Sequence, residues 1–320
     1  MLPPPSFFIS SFTFLIPHFS FLIYFWYLCS MILPQLDYYD MGAGIVAFSS
    51  TRHGGCSKGS YAAFNINRYC GDAEDDIRTN HEALCQTLGI VDDRLIMPHQ
   101  VHETKVATID EAFLLQNAAE RQEALEGVDA LMTNLKGVCI GVSTADCIPV
   151  LLYDSEHQAV CAIHAGWRGT VKRIVEKAVA AMTAVYGTQP QQLTAQIGPG
   201  IHLDSFEVGD EVYDAFAQEG FPMEQISKKF PSSDSGSKLF HHSLTKVRVW
   251  PCEHSSLFPY KWHIDLPVCN RLQLLAAGLQ PQHIKVSPIC TFQQADDYFS
   301  ARRLGINSGR IFTGIIRKGL

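Results

Sequence analysis

The residues best suited to chemistry are histidines and a cysteine that lie where short segments end. His102 closes the segment His99–His102, Cys147 closes Ala145-Asp-Cys147, and His164 follows the apolar run Val160–Ile163. Two imidazoles and one thiolate form a zinc site of the catalytic kind, which has three protein ligands and one position open to water or substrate. The chain holds 13 His and 10 Cys, so ordinary buried or surface histidines are the alternative interpretation.

The same side chains also allow nucleophilic chemistry. Cys147 paired with His164 or His102 would form the thiolate–imidazole pair of a cysteine hydrolase. A zinc-bound thiolate is a poor nucleophile, so the two interpretations exclude each other in any one state. The sequence lacks the His-x-Glu and Pro-Cys-x-x-Cys motifs of a cytidine-type zinc deaminase. It also lacks the His-x-His pairs of multicopper oxidases, and this second absence disfavours copper redox chemistry.

A glycine-rich turn, Gly166-Trp-Arg-Gly169, separates the run that ends at His164 from a segment with helical periodicity. Free backbone N–H groups at the start of a helix attract anions. Arg168 could add a bidentate contact to phosphate or carboxylate. The alternative is a tight strand–helix turn whose arginine is simply solvated.

Strands and helices that alternate irregularly must position these residues. Short apolar runs predict strands at 45–49, 138–142, 148–153, 160–163, 194–197, 284–287 and 311–316. Helical periodicity predicts helices at 74–88, from Val171 to Val185, and between Asp265 and Gly278. The fold class is therefore α+β or α/β: a single compact layered sandwich with mixed sheets flanked by helices.

The composition excludes several classes of protein. Of 320 residues, 47% are hydrophobic and 18% are charged, which rules out wholesale disorder. The formal net charge of -7 argues against nucleic acid as the main partner. No Cys-x-x-Cys pair is present, so we interpret most thiols as small buried hydrophobes in a reducing compartment and expect a cytoplasmic protein.

The first thirty residues differ from the rest of the chain, because no Asp, Glu, Lys or Arg precedes Asp37. A signal peptide needs a basic start and a small-residue cleavage site, and an anchor needs about 20 continuous apolar residues. Pro17 and His18 interrupt the apolar stretch. We expect translation to start at Met31, with residues 1–30 an artefact of start-site assignment and residues 31–320 a single catalytic domain without a membrane partner. An anchor and an export signal are the alternatives.

A series of motifs in fixed order carries a resemblance over about residues 40–318. They are Thr51-Arg-His-Gly-Gly55, Phe64-Asn-Ile-Asn67, Gly71-Asp72, Gln100-Val-His102, Asp129-Ala-Leu-Met-Thr133, Thr144-Ala-Asp-Cys-Ile-Pro149, His164-Ala-Gly-Trp-Arg-Gly169, Ile197-Gly-Pro-Gly200, Cys290-Thr-Phe292, Phe299-Ser-Ala-Arg-Arg303 and Gly309-Arg310. Together they closely resemble the YfiH-type family, whose members carry both the name polyphenol oxidase or laccase domain and the name purine nucleoside phosphorylase.

The resemblance implies a compact α/β sandwich that cleaves purine nucleosides with phosphate. Adenosine, inosine and methylthioadenosine would give the free base and a ribose 1-phosphate, and adenosine deamination is a further activity attributed to the family. The family's metal ligands fall on His102, Cys147 and His164. Some members are associated with editing of peptidoglycan precursors, which suits the Cys–His hydrolase interpretation.

Residue chemistry and resemblance together predict a zinc-dependent purine nucleoside phosphorylase with adenosine deaminase side activity. Phosphate would lie near Arg168 and the amides of its turn, with Arg52 as a second contact, and Asn65 would bind substrate. The zinc site would polarise the base or activate water. The alternatives are a Cys–His hydrolase acting on a cell-wall precursor and a non-catalytic nucleoside-binding protein; a copper polyphenol oxidase fits the ligands poorly.

Overall fold

The computed structural model of the chain describes residues 33–231 and 260–318. The leader of residues 1–30, and the serine-rich stretch 232–237 that the sequence predicts as a loop, lie outside the described residues. All eight cysteines within the described ranges are free thiols. Within those same ranges, no helix combines the length and the apolar character needed to cross a membrane.

Fourteen strands and nine α-helices lie within the described ranges. The strands are β1 Leu36–Tyr39, β2 Ile45–Ser50, β3 Leu95–Ile96, β4 Val106–Thr108, β5 Ala130–Thr133, β6 Cys139–Thr144, β7 Ile148–Asp154, β8 Ala159–Ala165, β9 Thr194–Ile197, β10 Glu207–Val208, β11 Ser227–Pro231, β12 Tyr260–Ile264, β13 Ile284–Val286 and β14 Ile311–Arg317. The helices are α1 Glu74–Leu88, α2 Glu111–Leu115, α3 Ala118–Ala124, α4 Trp167–Val171, α5 Ile174–Tyr186, α6 Asp210–Gln218, α7 Met223–Ile226, α8 Leu266–Ala276 and α9 Ala301–Leu304.

Two large sheets pack face to face and form the centre of the molecule. One has five strands in the order β1-β2-β14-β6-β3, and the other has six in the order β13-β9-β7-β8-β5-β4. Val142 and Ile315 from the first sheet are buried in one cluster with Leu151 and Val160 from the second. Because β7 and β8 are buried along their whole length, their sequences are continuous apolar runs without alternation.

Helices cover the two outer faces of this pair of sheets. Leu84 and Leu88 of α1 pack against Phe312 of the five-stranded sheet. Val175 of α5 and Leu274 of α8 belong to the cluster on the outer face of the six-stranded sheet. A third, three-stranded sheet, in the order β10-β12-β11, accompanies this layer. The chain therefore forms a helix–sheet–sheet–helix sandwich.

The sheets are mixed in strand direction. The pairs β3–β6, β4–β5 and β9–β13 are parallel, and the other pairs in the two large sheets are antiparallel. The predicted fold class, a layered sandwich with mixed sheets flanked by helices, is confirmed. The predicted strands also lie where the sequence places them, with ends that differ by one or two residues.

The predicted single helix from Val171 to Val185 is wrong, because the chain breaks after α4. Arg173 adopts a left-handed conformation with φ 62°, and α5 begins at the next residue. The buried amide of Gln273 joins the two pieces, since its Nε2 donates to the carbonyl of Thr170 at 2.9 Å and its Oε1 accepts from the N–H of Val175 at 3.2 Å. Val185, expected on the apolar stripe, is 53% exposed.

Two glycines face each other where β6 and β14 pair, at Gly141 and Gly314. The ring of Phe312 fills the space above both of them. A Cβ on Gly141 would lie 2.6 Å from Cε2 of Phe312 and 2.7 Å from the carbonyl oxygen of Thr313. A Cβ on Gly314 would lie 2.8 Å from Cε1 of the same ring. Glycine is therefore required here by close packing and not by backbone conformation.

We expect Gly141→Ala to lower the free energy of unfolding by about 1–3 kcal/mol, because the added methyl group overpacks the core. Chemical denaturation of the variant against the wild type measures this loss. Phe312→Leu is the matched partner, since a smaller side chain makes room for the methyl group. The double variant should be more stable than the sum of the single losses predicts. A fully additive double variant would contradict the proposed contact.

Candidate active site

The three predicted ligands meet at one end of the six-stranded sheet. His164 is the penultimate residue of β8, Cys147 directly precedes β7, and His102 lies in the loop before β4. Pro149 pairs with His164 across the two antiparallel strands, which brings Cys147 close to it. One ligand atom from each of the three side chains lies within 4.8 Å of the others. The sequence interpretation of these residues as one group agrees with this geometry.

Asp129 connects two of these ligands, although the sequence analysis gave it no role. One carboxylate oxygen accepts from Nδ1 of His164 at 2.7 Å and from the backbone N–H of His102 at 3.0 Å. The other accepts from the N–H groups of Glu103 at 2.8 Å and Val101 at 3.3 Å. The carboxylate fixes the ring of His164 so that its Nε2 is the nitrogen left for a ligand.

Two residues at this site have backbone conformations that are uncommon outside glycine. His102 has φ 65° and Asp146 has φ 87°. The strain at Asp146 is held by its side chain, which accepts from Oγ1 of Thr291 and from the N–H of Arg302, both at 2.7 Å. Its carbonyl also accepts from the N–H of Ile201 at 2.8 Å. Strained residues that the surroundings hold so firmly are typical of functional sites.

A pair of amide hydrogen bonds fixes the loop that carries His102. Nε2 of Gln100 donates to the carbonyl of Ser143 at 2.8 Å, and Oε1 accepts from the N–H of Ser143 at 2.7 Å. Gln100 therefore attaches this loop to β6 of the other large sheet. The site lies where the ends of the two sheets meet.

The charges at the site favour a thiolate. Burial opposes ionisation of Cys147, but the imidazoles of His164 and His102 outweigh it and hold the pKa of the thiol below its usual value. Burial also disfavours a charged His164, yet the Cys147 thiolate and Asp129 raise the pKa of that imidazole. Burial likewise opposes the charge on Asp129, but His164 and the backbone N–H groups lower its pKa. Thiolate is the form that both binds metals and attacks carbonyls.

The donor set fits a catalytic zinc site. It offers two imidazoles and one thiolate. The carboxylate of Asp129 accepts from Nδ1 of His164 and so orients that imidazole, an arrangement common at zinc sites. Position 166 must lack a side chain, because a Cβ on Gly166 would lie 2.8 Å from Cδ2 of His102 and 3.0 Å from Sγ of Cys147. Glycine at position 166 thus permits the turn before α4 to approach the ligands closely.

A second group of metal-ligating types, His81, Cys85 and Asp92, also lies within the described residues. Nδ1 of His81 is 2.8 Å from the exposed carboxylate of Asp92. Burial raises the pKa of Cys85 to about 12, with Asp92 adding to the effect. All three side chains of the first group line one cavity, and that group offers two imidazoles, so it is the better candidate for a metal.

A cavity of about 520 Å³ opens beside the first group. His102, Cys147 and His164 form part of its wall. The described residues that line it include no Asp or Glu, and Arg310 is their one guanidinium. Tyr69 and His99 contribute stacked rings, with centroids 4.0 Å apart and planes at 21°. The cavity thus combines a wall of potential metal ligands with one cation and aromatic surface.

The structure places the other predicted site residues outside the lining of this cavity. Nε of Arg52 donates to the carbonyl of Ala62 at 3.0 Å, and its Nη1 donates to that of Ala295 at 2.6 Å. The guanidinium of Arg168 lies 4.4 Å from the ring centre of Trp167. Neither arginine is among the described residues that line the cavity.

Asn65 is fully buried and acts through its neighbours. Its Oδ1 accepts from the N–H of Arg310 at 3.1 Å and from the N–H of Asn67 at 3.2 Å. Its Nδ2 donates to the carboxylate of Asp72 at 2.8 Å. Asn65 therefore positions two lining residues, Asn67 and Arg310, and does not itself reach the cavity.

Three lining residues were missed as candidates: Tyr69, His99 and Arg310. Arg310 belongs to a motif that carries the family resemblance, and His99 begins the segment His99–His102 that ends at a predicted ligand; these were the signals available in the sequence. Tyr69 belongs to no motif; its backbone N–H donates to Oδ1 of Asn67, another lining residue, at 2.7 Å.

The chain belongs to the class of two-sheet sandwich proteins that carry a His–Cys–His donor group beside a cavity. Comparison with known proteins assigns its family. A family model described as multi-copper polyphenol oxidoreductase laccase matches residues 46–318, so the chain belongs to that family. A purine nucleoside phosphorylase of Bacteroides thetaiotaomicron is 43% identical over 86% of this chain and 92% of its own. Adenosine deaminase RL5, from an unknown prokaryotic organism, is 41% identical over 89% of this chain and 99% of its own.

Solved structures share the fold. YlmD of Geobacillus stearothermophilus has a TM-score of 0.73 and 29% identity, with 90% of this chain and 99% of its own covered. The hypothetical protein YfiH of Bacillus licheniformis has a TM-score of 0.74 over 88% of this chain and 96% of its own, and at 24% identity it supports the fold alone. The resemblance to the YfiH-type family and the expectation of an enzyme are both confirmed.

We expect Asp129→Asn to weaken metal binding about 10–100-fold, because the amide cannot accept from all four donors that the carboxylate serves. Zinc content after dialysis against increasing chelator concentrations measures the loss. Asp154→Asn is the matched control. Asp154 is also fully buried and accepts from Nδ1 of His157 at 2.9 Å, but it lies at the far end of β7. Equal zinc retention in the two variants would contradict the role of Asp129.

Proposed function

We propose that the chain is a zinc-dependent purine nucleoside phosphorylase that converts a purine nucleoside and phosphate to the free base and ribose 1-phosphate. The observation that carries this proposal is the cavity, which has the His102, Cys147 and His164 group in one wall and the guanidinium of Arg310 in its lining. Relatives named purine nucleoside phosphorylase support it, and adenosine, inosine and methylthioadenosine are the proposed substrates.

His102, Cys147 and His164 would hold the metal. When bound, zinc supplies a Lewis acid that polarises a substrate atom or lowers the pKa of a water molecule. The protein's own contribution is to keep the donors in place, through the carboxylate of Asp129 and the amide of Gln100. Because these hydrogen bonds come from the protein itself, the metal-ligating wall is preorganised.

Arg310 is our candidate for the phosphate contact. Its Nη1 donates to the carbonyls of Ser308 and Gly309, and its Nη2 donates to that of Ile306 at 2.9 Å. These bonds hold the guanidinium rigidly, while Nε has no hydrogen-bond partner among the described residues. A rigid cation in a cavity without a carboxylate in its described lining suits an anion. The contacts predicted for Arg168 and Arg52 remain predictions, and their positions outside the lining favour Arg310.

Phosphorolysis depends mainly on positioning the phosphate and stabilising the charge that develops as the bond breaks. The phosphate must lie against C1′ while the glycosidic bond breaks, and a fixed cation can hold it there. The aromatic ring of Tyr69 adds apolar surface beside which a purine base can bind. The amides of Asn67 and Asn307 also line the cavity and can hydrogen-bond to ribose or base.

Adenosine deamination is the proposed side activity of the same cavity. Its support is the relative named adenosine deaminase, which matches almost the whole chain. The Cys–His hydrolase is the second candidate, because the lowered pKa of Cys147 would suit a nucleophile as well as a ligand. Cys147→Ala separates the two: loss of zinc together with turnover supports a ligand, and full zinc content without turnover supports a nucleophile.

We expect the zinc-loaded protein to release adenine from adenosine only when phosphate is present, with ribose 1-phosphate in equal amount. Chromatography of the products with and without phosphate measures this. Inosine in the phosphate-free reaction would reveal the deaminase side activity. Cys147→Ala is the inactive control for contaminating enzymes. A wild-type protein that binds adenosine but releases no adenine under either condition would overturn the proposal in favour of nucleoside binding without catalysis.

We expect Arg310→Ala to raise the KM for phosphate about 10-fold or more, because a hydrogen bond to a charged group contributes about 1.5–3 kcal/mol. Initial rates at varied phosphate concentration measure the change. Arg310→Lys keeps the charge and should recover part of the affinity, which guards against a purely structural effect. Arg168→Ala is the competing variant, and a larger rise in phosphate KM for Arg168→Ala than for Arg310→Ala would restore the assignment made from the sequence.

A further inference from the structure

His99 forms an imidazole–carboxylate pair in the wall of the cavity. Its Nδ1 lies 2.7 and 2.8 Å from the two carboxylate oxygens of Glu126. Its backbone N–H donates to the carbonyl of Leu125 at 3.1 Å, next to the same carboxylate in sequence. The main chain and the side chain of His99 are therefore both fixed to the two residues that follow α3.

The ring of His99 is also held on its face. Tyr69 stacks on it at 4.0 Å, and both rings line the cavity. With Nδ1 bound to Glu126, Nε2 is the ring nitrogen left for a substrate, and no hydrogen bond to it is found among the described residues. A histidine with one nitrogen bound to a carboxylate and the other free is arranged to transfer a proton.

Other imidazole–carboxylate pairs occur in the described residues, but they lie elsewhere. They are His53 with Asp297, His81 with Asp92, and His157 with Asp154. None of these histidines is among the described residues that line the cavity. The pair His164–Asp129 does reach it, but that imidazole belongs to the metal-ligating group. Of the three histidines among the described residues that line the cavity, His99 is the one that is not a proposed metal ligand.

We propose that His99 is the general acid that protonates the departing purine base, with Glu126 as its positioning residue; this rests on the proposed phosphorolysis. The bond from C1′ to N9 breaks, and its electron pair goes to the base. A phosphate oxygen forms the new bond to C1′. The proton on Nε2 of the imidazolium moves to N7 of the base. The proton of hydrogen phosphate, released as the sugar phosphate forms, restores the imidazolium, so atoms and charge balance.

The test compares leaving groups that do and do not need a proton. Inosine needs one, whereas 7-methylinosine already carries a positive charge on its base and leaves without one. We expect His99→Gln to lower kcat for inosine about 100-fold or more, in the range of general acid catalysis, and to leave kcat for 7-methylinosine nearly unchanged. Equal losses on both substrates would overturn the acid role, whereas a wild-type protein that releases no base from either inosine or adenosine with phosphate would refute phosphorolysis itself.

Two additions keep the result unambiguous. If the wild-type protein rejects the methyl group, 4-nitrophenyl ribofuranoside replaces 7-methylinosine, because nitrophenolate also leaves without a proton; a loss there as large as that for inosine would overturn the proposal. His157→Gln is the matched control, since it breaks an imidazole–carboxylate pair outside the cavity and should leave the ratio of the two kcat values unchanged. Glu126→Gln should shift that ratio in the same direction as His99→Gln, with zinc content and Tm as measures of intact structure.

Discussion

The carboxylate of Asp129 is the interaction on which the rest of the site depends. It is completely buried, and it stays charged because four N–H groups point at it, three from the loop at 101–103 and one from the ring of His164. A buried charge is costly unless it is fully hydrogen-bonded, so the loop must adopt the one conformation that supplies those donors. The left-handed backbone of His102 is the local cost of that conformation.

This arrangement explains how much of the site the sequence could predict. The group of His102, Cys147 and His164 could be predicted because metal-ligating residue types lie at segment ends and the family resemblance assigns the same three positions. Arg310 could not be found in the same way, since its place in the cavity depends on Asn65, which lies 245 positions away in the chain. Arg168 stays a prediction. The turn before α4 suggests an anion site, whereas the guanidinium lies 4.4 Å from the ring centre of Trp167 and Arg168 is not among the described residues that line the cavity.

The fold was predictable for a related reason. The runs at β7 and β8 are apolar without alternation because both faces are covered, one by the second sheet and one by helices. Composition identifies such strands, whereas it does not reveal which sheet they join. The break between α4 and α5 could not be predicted from the sequence. The buried amide of Gln273, about a hundred residues away, hydrogen-bonds to backbone groups on both sides of the break. Tertiary contacts of this kind override helical periodicity.

The family description names a copper oxidoreductase, and the geometry of this chain argues for a different use of the same fold. Within the described residues, one group of donors combines an easily ionised thiol with two imidazoles and faces a cavity. Oxidation by several copper ions needs several such donor groups close enough to exchange electrons. A single three-ligand group in a cavity that also contains Arg310 is better suited to a reaction with an anionic substrate. Family membership fixes the sandwich, but the reaction follows from the side chains that line the cavity. In this chain those groups are a rigid guanidinium, a carboxylate-bound imidazole and a stacked tyrosine, which together suit a phosphate, a proton transfer and a planar base.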